Sequence, residues 1–378
     1  MVLMTDRTTS GTDLPGRGRE LASLAALHAE QADRESQLPP VMVEQIVAAG
    51  FARHFVPTRW NGRAGSVTDL FHAVSAVAEG CTSAAWSASV IASAGRMGAF
   101  LPLEGQQDLW AKGADTLVVG ALMPRGDATP VPGGWRVSGS WSYASVVDFS
   151  DWALVCALVT VDGRQVPWFF ALPREDYTVT ATWASTGMRG TGSNSLAVED
   201  AFVPEHRGFT RQNMIAGHGV GSDAPCHTAP LRLVSGLLFG APAVGAARTA
   251  LRAFAELSAP VAPDNPAPRA ALARAAVAVN GAGLLMERAA RVADAPRCDP
   301  ADLARNPADC AYAVEQLLDA VERLTRAAGS AALSDGSALE RIWRDLHSLS
   351  SHVALRFDPA AVAYGARLLE LSGGPDAR

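Results

Sequence analysis

The hydrophobic period changes twice along this 378-residue chain, and that alternation constrains the fold more than any single motif. From about Gly16 to Arg34, Leu21, Leu24, Ala25 and His28 fall at i, i+3, i+4 and i+7, the spacing of one helix face. Pro39-Pro40 opens a second helix, VMVEQIVAAG, which Gly50 closes. Helices resume near Val67 with DLFHAVSAVAEG and run on through CTSAAWSASVIASAGRMGAFLP. The period then becomes that of strands. Thr116–Pro124, Gly134–Tyr143, Trp152–Val161, Pro167–Pro173, Tyr177–Trp183 and Ser195–Pro204 are short, β-branched and aromatic, and are punctuated by Gly, Asp and Pro. Asp162-Gly163 between two of them is a hairpin signal. After a polar, glycine-bearing loop over 212–230, the helical period returns in LRLVSGLLFGAPAVGAARTALRAFAELS. A proline-rich break then precedes AALARAAVAVNGAGLLMERAARVA. Val314, Leu317, Leu318, Val321 and Leu324 mark a third helix and LERIWRDLHSLSSHVAL a fourth.

The expected fold is α+β and multi-layered. A disordered N-terminus (1–15) precedes an N-terminal helical domain (16–115), a central antiparallel β domain of sandwich or barrel type (116–210) and a C-terminal four-helix bundle (211–378).

Composition excludes several classes. A net charge of −6 gives no basic face for nucleic acid. The 5 cysteines are scattered without a CxxC pair and read as free thiols of a reducing compartment. The N-terminus has no signal-peptide core, and no stretch approaches 18 consecutive apolar residues, so the expectation is a cytoplasmic protein without a membrane span. Lys112 is the only lysine, and that skew lowers the functional weight of each arginine. His218, Cys226 and His227 fit no structural zinc spacing, and no metal is expected. No strand-like run is followed by a G-x-G-x-x-G fingerprint. The nearly all-apolar helix beginning at Leu231 exceeds what one bundle face buries, which points to a homo-oligomer.

The chemistry concentrates around WASTGMRGTGSN, Trp183–Asn194, where Gly187, Gly190 and Gly192 alternate with small hydroxyl and amide side chains. Glycines let a backbone approach a flat ligand, and the polar side chains add donors and acceptors without charge. By spacing alone the stretch is equally a tight turn between strands.

With its flanks (TWASTGMRGTGSNSLAVEDAFVPEHR), that stretch resembles the flavin-contacting β-domain segment of the acyl-CoA dehydrogenase fold superfamily. GGWRVSGSWSYAS is similar to the strand and turn that cover one side of the flavin in that superfamily. RIWRDLHSLSSH resembles the last long helix of one branch, the oxygenase components of two-component (group D) flavin-dependent monooxygenases. That branch includes the p-hydroxyphenylacetate and steroid-ring phenol hydroxylases and the amino-sugar N-oxygenases. The resemblance spans about Gly16 to Leu371.

It implies an oxidoreductase that takes reduced FMN or FAD from a separate NAD(P)H:flavin reductase, uses O2 as co-substrate and hydroxylates a small organic molecule, aromatic or polyketide-like. It also implies a dimer or tetramer. Carried over by position, it assigns Trp141, Ser145, Arg189, Thr191, Gly192, Ser193 and Asn194 to flavin, and Trp86, Arg96, Tyr143 and Ser348 to the substrate pocket. His352 and Ser145 become the catalytic candidates.

An acyl-CoA dehydrogenase needs a carboxylate base, yet no glutamate occurs between Glu340 and Glu370, and Ser351-His352-Val353 stands where it would be. An imidazole there suits hydrogen bonding to a substrate hydroxyl or proton movement near pH 7. Helical spacing would put Asp345, Ser348 and His352 on one face and turn His347 and Ser351 away. Two departures from the branch stand out: Ser145 is followed by Val146 in place of glycine, and Ser93-Ala94-Gly95-Arg96 lacks the histidine that holds a phenol. Alternatives are an acyl-CoA dehydrogenase-type oxidoreductase, an amino-sugar N-oxygenase, or a non-catalytic, flavin-free scaffold.

Overall fold

The computed structural model describes residues 13–260, 265–334 and 336–372. Residues 1–12 of the expected N-terminal disorder and part of the proline-rich break lie outside them, whereas Leu14 and Pro15, expected to be disordered, open the first helix. Five helices come first: α1 (Leu14–Glu35), α2 (Pro40–Ala48), α3 (Val67–Ala78), α4 (Thr82–Gly98) and α5 (Leu103–Leu109). Strands follow as β1 (Val118–Val131), β2 (Gly134–Ala144), β3 (Trp152–Val161), β4 (Arg164–Pro173), β5 (Thr178–Thr180), β6 (Asn194–Pro204) and β7 (Gly208–Thr210). Short helices α6 (Arg211–Ala216) and α7 (Pro225–Thr228) occupy the loop expected over 212–230. The C-terminal helices are α8 (Leu231–Ser258), α9 (Pro266–Ala293), α10 (Pro300–Ala328), α11 (Ala338–Ser350) and α12 (Phe357–Ser372).

The strands form one sheet in the order β5-β6-β2-β1-β3-β4-β7. It is mixed, which corrects the wholly antiparallel expectation: β1 runs parallel to β3, while the remaining pairs are antiparallel. The local signal was sound at the β3–β4 hairpin, where Asp162 (φ 49°) and Gly163 (φ 74°) both take the left-handed conformation of a two-residue turn. A parallel neighbour leaves no such local mark, because its partner lies a whole hairpin away.

The near-continuous apolar run of β3 has a direct cause: the sheet is covered on both faces. Ala153, Val155, Ala157 and Val159 join the large core shared with the helices at either end of the chain. Leu154 and Cys156 point the other way, into a second core with Phe100, Leu101, Phe169 and Phe209. Helices α8 and α9 have the length and hydropathy of membrane spans, but 78% of the apolar window of α8 is buried within the protein. Both pack against α10.

One contact between the sheet and the last helices is close enough to fix a residue type. A Cβ added at Gly187 would fall on the backbone carbonyl of Arg344 in α11. The adjacent Met188 N–H donates to the Asp345 carboxylate at 2.6 Å. Gly187→Ala must therefore push the turn off α11 and is expected to cost about 2–3 kcal/mol of stability in urea unfolding, the range for overpacking at backbone contact. A loss below about 0.5 kcal/mol, the scale of ordinary surface changes, would show that the turn is not seated there.

Candidate active site

Between the sheet, α4, α8 and the end of α11 lies a pocket of about 740 Å³. Trp86, Trp183, Tyr143 and Phe239 supply flat apolar walls, and Ser145, Thr191 and Ser193 supply a band of hydroxyls. Of the sequence-derived candidates, Trp86, Trp141, Tyr143, Ser145, Thr191, Ser193, Ser348 and His352 line this one cavity.

The hydroxyls form a chain whose direction is fixed by counting protons. Trp86 donates its indole N–H to Ser145 Oγ (3.0 Å). At the far end Thr191 donates to the Met188 carbonyl (2.8 Å), which spends its only proton. Ser193 must therefore donate to Thr191 (2.7 Å), and Ser145 to Ser193 (2.8 Å). Every O–H is consumed, while each oxygen keeps one free lone pair. Toward a ligand the band offers acceptors and no donors.

His352 stands across the cavity, but not where helical spacing would put it. Helix α11 stops at Ser350, and His352 caps a following 3-10 turn at φ −62°, ψ 136°. The shared helix face expected for Asp345, Ser348 and His352 is corrected accordingly. Asp345 is buried under Met188 away from the pocket, and Ser351 lines it after all. The imidazole packs on Phe239 (centroids 3.8 Å apart) and edge-on to Trp86 (5.6 Å). Its Nδ1 accepts the Ala354 N–H (3.3 Å), so in the neutral ring Nε2 carries the proton. Burial pushes its pKa down to about 4, which keeps it uncharged at neutral pH. For Asp345 burial pushes the other way, up to about 6, against the opposing Met188 N–H.

Four of the residues assigned from sequence lie outside this lining. Arg96, placed in the substrate pocket by sequence, is buried and donates to the carbonyls of Cys226 and Ala229; it serves α7. Arg189 turns to α1, donating to the Asp33 carbonyl (2.7 Å) with its carboxylate nearby. Asn194 is outside the lining as well: its Oδ1 accepts from the Thr182 and Trp183 amides, and its Nδ2 donates to Asp148. Gly192, at φ 51°, makes the turn without reaching the cavity. A dense run of small polar residues cannot reveal from sequence which of them face inward. Val146 takes the left-handed conformation (φ 56°) that a glycine would adopt without strain.

Phe239 and Arg125 went unnoticed in the sequence. Phe239 sits within an apolar helix where nothing distinguishes it. Arg125 follows directly on the expected strand Thr116–Pro124, in the connection to the next one, where a single arginine does not stand out.

The aromatic walls and the acceptor band fit a flat heteroaromatic ring that carries N–H groups. A flavin has that chemistry.

Residues 237–357 match the family described as acyl-CoA dehydrogenase, C-terminal domain. The chain is 30% identical over 348 residues to the flavin-dependent monooxygenase oxygenase subunit HsaA of Mycobacterium tuberculosis, covering 87% of this chain and 88% of that protein. It is 26% identical to the p-hydroxyphenylacetate 3-hydroxylase oxygenase component of Acinetobacter baumannii, over 97% and 91% of the two chains. The solved 3-HSA hydroxylase of Rhodococcus sp. RHA1 superposes with a TM-score of 0.90 at 27% identity, over 95% of this chain and 97% of that one.

His352 and Asp345 act on stability with opposite signs. The unfolded imidazole gains its proton below about pH 6.5, the folded one only near pH 4, so the stability it contributes is present above 6.5 and fades as pH falls toward 4. Asp345 contributes stability below its unfolded pKa of about 3.9 and loses it as pH rises through about 6. Between pH 7 and 5, His352→Gln should hold its stability better than wild type on acidification, and Asp345→Asn better on alkalinisation. Each difference is expected to be about 1–2 kcal/mol in denaturant unfolding. Parallel pH profiles for all three proteins would contradict both assignments.

Proposed function

Because the chain belongs to the family of oxygenase components of two-component flavin-dependent monooxygenases, on the acyl-CoA dehydrogenase fold, we propose that it hydroxylates an organic substrate with O2 and reduced FMN or FAD. A separate NAD(P)H:flavin reductase would deliver the flavin. The observation that carries this reading is the pairing of an acceptor-only hydroxyl band with a neutral imidazole N–H across one apolar pocket. When bound, reduced flavin supplies the electrons that activate O2.

Ser145, Ser193 and Thr191 are the residues to hold the ring, by accepting its N–H groups on their free lone pairs. Trp141, buried and tied to the Cys156 carbonyl at 2.8 Å, backs that wall. Trp86 and Phe239, both half-buried, shield the reacting face from water. His352 Nε2–H is a donor for the substrate hydroxyl or the reacting oxygen. With a pKa near 4 and Nδ1 already occupied, it suits positioning by a hydrogen bond better than service as a base at pH 7. Ser348 borders the same space.

The absence of a carboxylate among the lining residues weighs against the alternatives. A dehydrogenase would lack its base, and a protonated amino sugar would lack a counter-charge. The small side chains of Ser93 and Ala94, in place of a phenol-holding histidine, favour an aromatic substrate larger than one ring, such as a polyketide. A homodimer or homotetramer, working in the cytoplasm, completes the proposal. Its support is the exposed apolar side chains of Val277 and Leu284 on α9 and of Val362 and Leu369 on α12.

His352→Ala should leave the affinity for reduced flavin within about threefold while lowering the yield of hydroxylated product per O2 by at least about tenfold, the usual range for a positioned hydrogen-bonding group. Product and hydrogen peroxide would be measured together under reductase-coupled turnover. Wild-type coupling in the variant would remove His352 from the mechanism. Failure of wild type to bind reduced flavin would remove the oxygenase reading itself.

A further inference from the structure

Strand β1 carries an excursion that sheet pairing does not require. Between the two halves of the β1–β3 ladder, β1 advances from Ala121 to Gly126 while β3 advances only from Val155 to Ala157. Pairing with β2 begins only at Gly126. Pro124, having no N–H, cannot serve the ladder. The released residues Leu122, Met123 and Arg125 line the pocket.

Arg125 differs from the arginines around it. Arg96, Arg189 and Arg344 are engaged by carbonyls or carboxylates. Arg125 is exposed and, among the described residues, has no hydrogen bond, ion pair or ring contact. Since no Asp, Glu or Lys lines the pocket and His352 is neutral, it is the one formal charge there. A guanidinium at the rim of an apolar cavity presents a planar fork that matches phosphate or carboxylate oxygens.

We propose that Arg125 is the anion anchor of the pocket, binding an oxyanion carried by the molecule that enters: the phosphate of the flavin or an acidic group on the aromatic substrate. The proposal rests on the oxygenase reading and adds the charge of the ligand to it. Neutral and cationic ligands would gain nothing at this position.

The test compares wild type with Arg125→Gln, an exposed change that leaves the core alone. Anaerobic titrations with reduced FMN and reduced riboflavin read the flavin phosphate; titrations with 2-naphthoate and 2-naphthol read a substrate acid. Wild type is expected to prefer the anionic member of at least one pair by about three- to tenfold. That preference should vanish in the variant and fade in about 1 M salt. A change confined to the FMN pair assigns the flavin phosphate, and one confined to the naphthalene pair assigns a substrate acid. No anion preference in wild type, or one unaltered in the variant, overturns the proposal. Should reduced flavin not bind at all, the oxygenase reading fails, while the naphthalene pair still judges Arg125.

Discussion

The pocket owes its shape to one buried hydrogen bond, from the Met188 amide to the Asp345 carboxylate. Met188 belongs to the turn that carries the hydroxyl band, and Asp345 to the helix that leads to His352. Without the clamp, the turn and the helix would be joined by apolar packing, which resists separation but sets no register, and by Arg344 alone. Gly187 lets the backbones touch, and Arg344 reinforces the seam by reaching Asp33 of α1 and the Thr186 carbonyl. Three distant parts of the sequence are thereby locked around one cavity.

Met188 is also a junction. Its N–H faces the carboxylate, and its carbonyl accepts both the end of the hydroxyl chain and the Trp183 indole (3.3 Å). The same residue that fixes the turn thus fixes the direction of every proton in the band. A ring with N–H groups gains partners on this wall, and one that presents lone pairs gains none. That asymmetry favours the reduced form of a flavin, which bears more N–H groups than the oxidised form.

The order of helices, strands and helices was legible from periodicity, and the β3–β4 turn from two residues. The resemblance carried most of the pocket wall, including Ser145, Thr191, Ser193 and His352. Sequence could not separate Thr191 and Ser193, which face the cavity, from Arg189, Gly192 and Asn194, which hold the turn together. All of them are small or polar in one run, and only three-dimensional closure decides which way each points. The end of α11 was misplaced for a similar reason. Ser350-Ser351 carries no glycine or proline stop, and the helical spacing continues past the point where the chain turns.

The β1 excursion has an evolutionary side. Residues within a paired strand are bound to their neighbours' register, so a change there is felt across the sheet. Residues 122–125 have no registered partner on either adjoining strand, and Leu122, Met123 and Arg125 among them border the cavity. Mutation can rewrite the entrance, exchanging one charge or shape for another, while the ladder on both sides stays as it is. A fold with such a segment can acquire new substrates without first having to re-earn its stability.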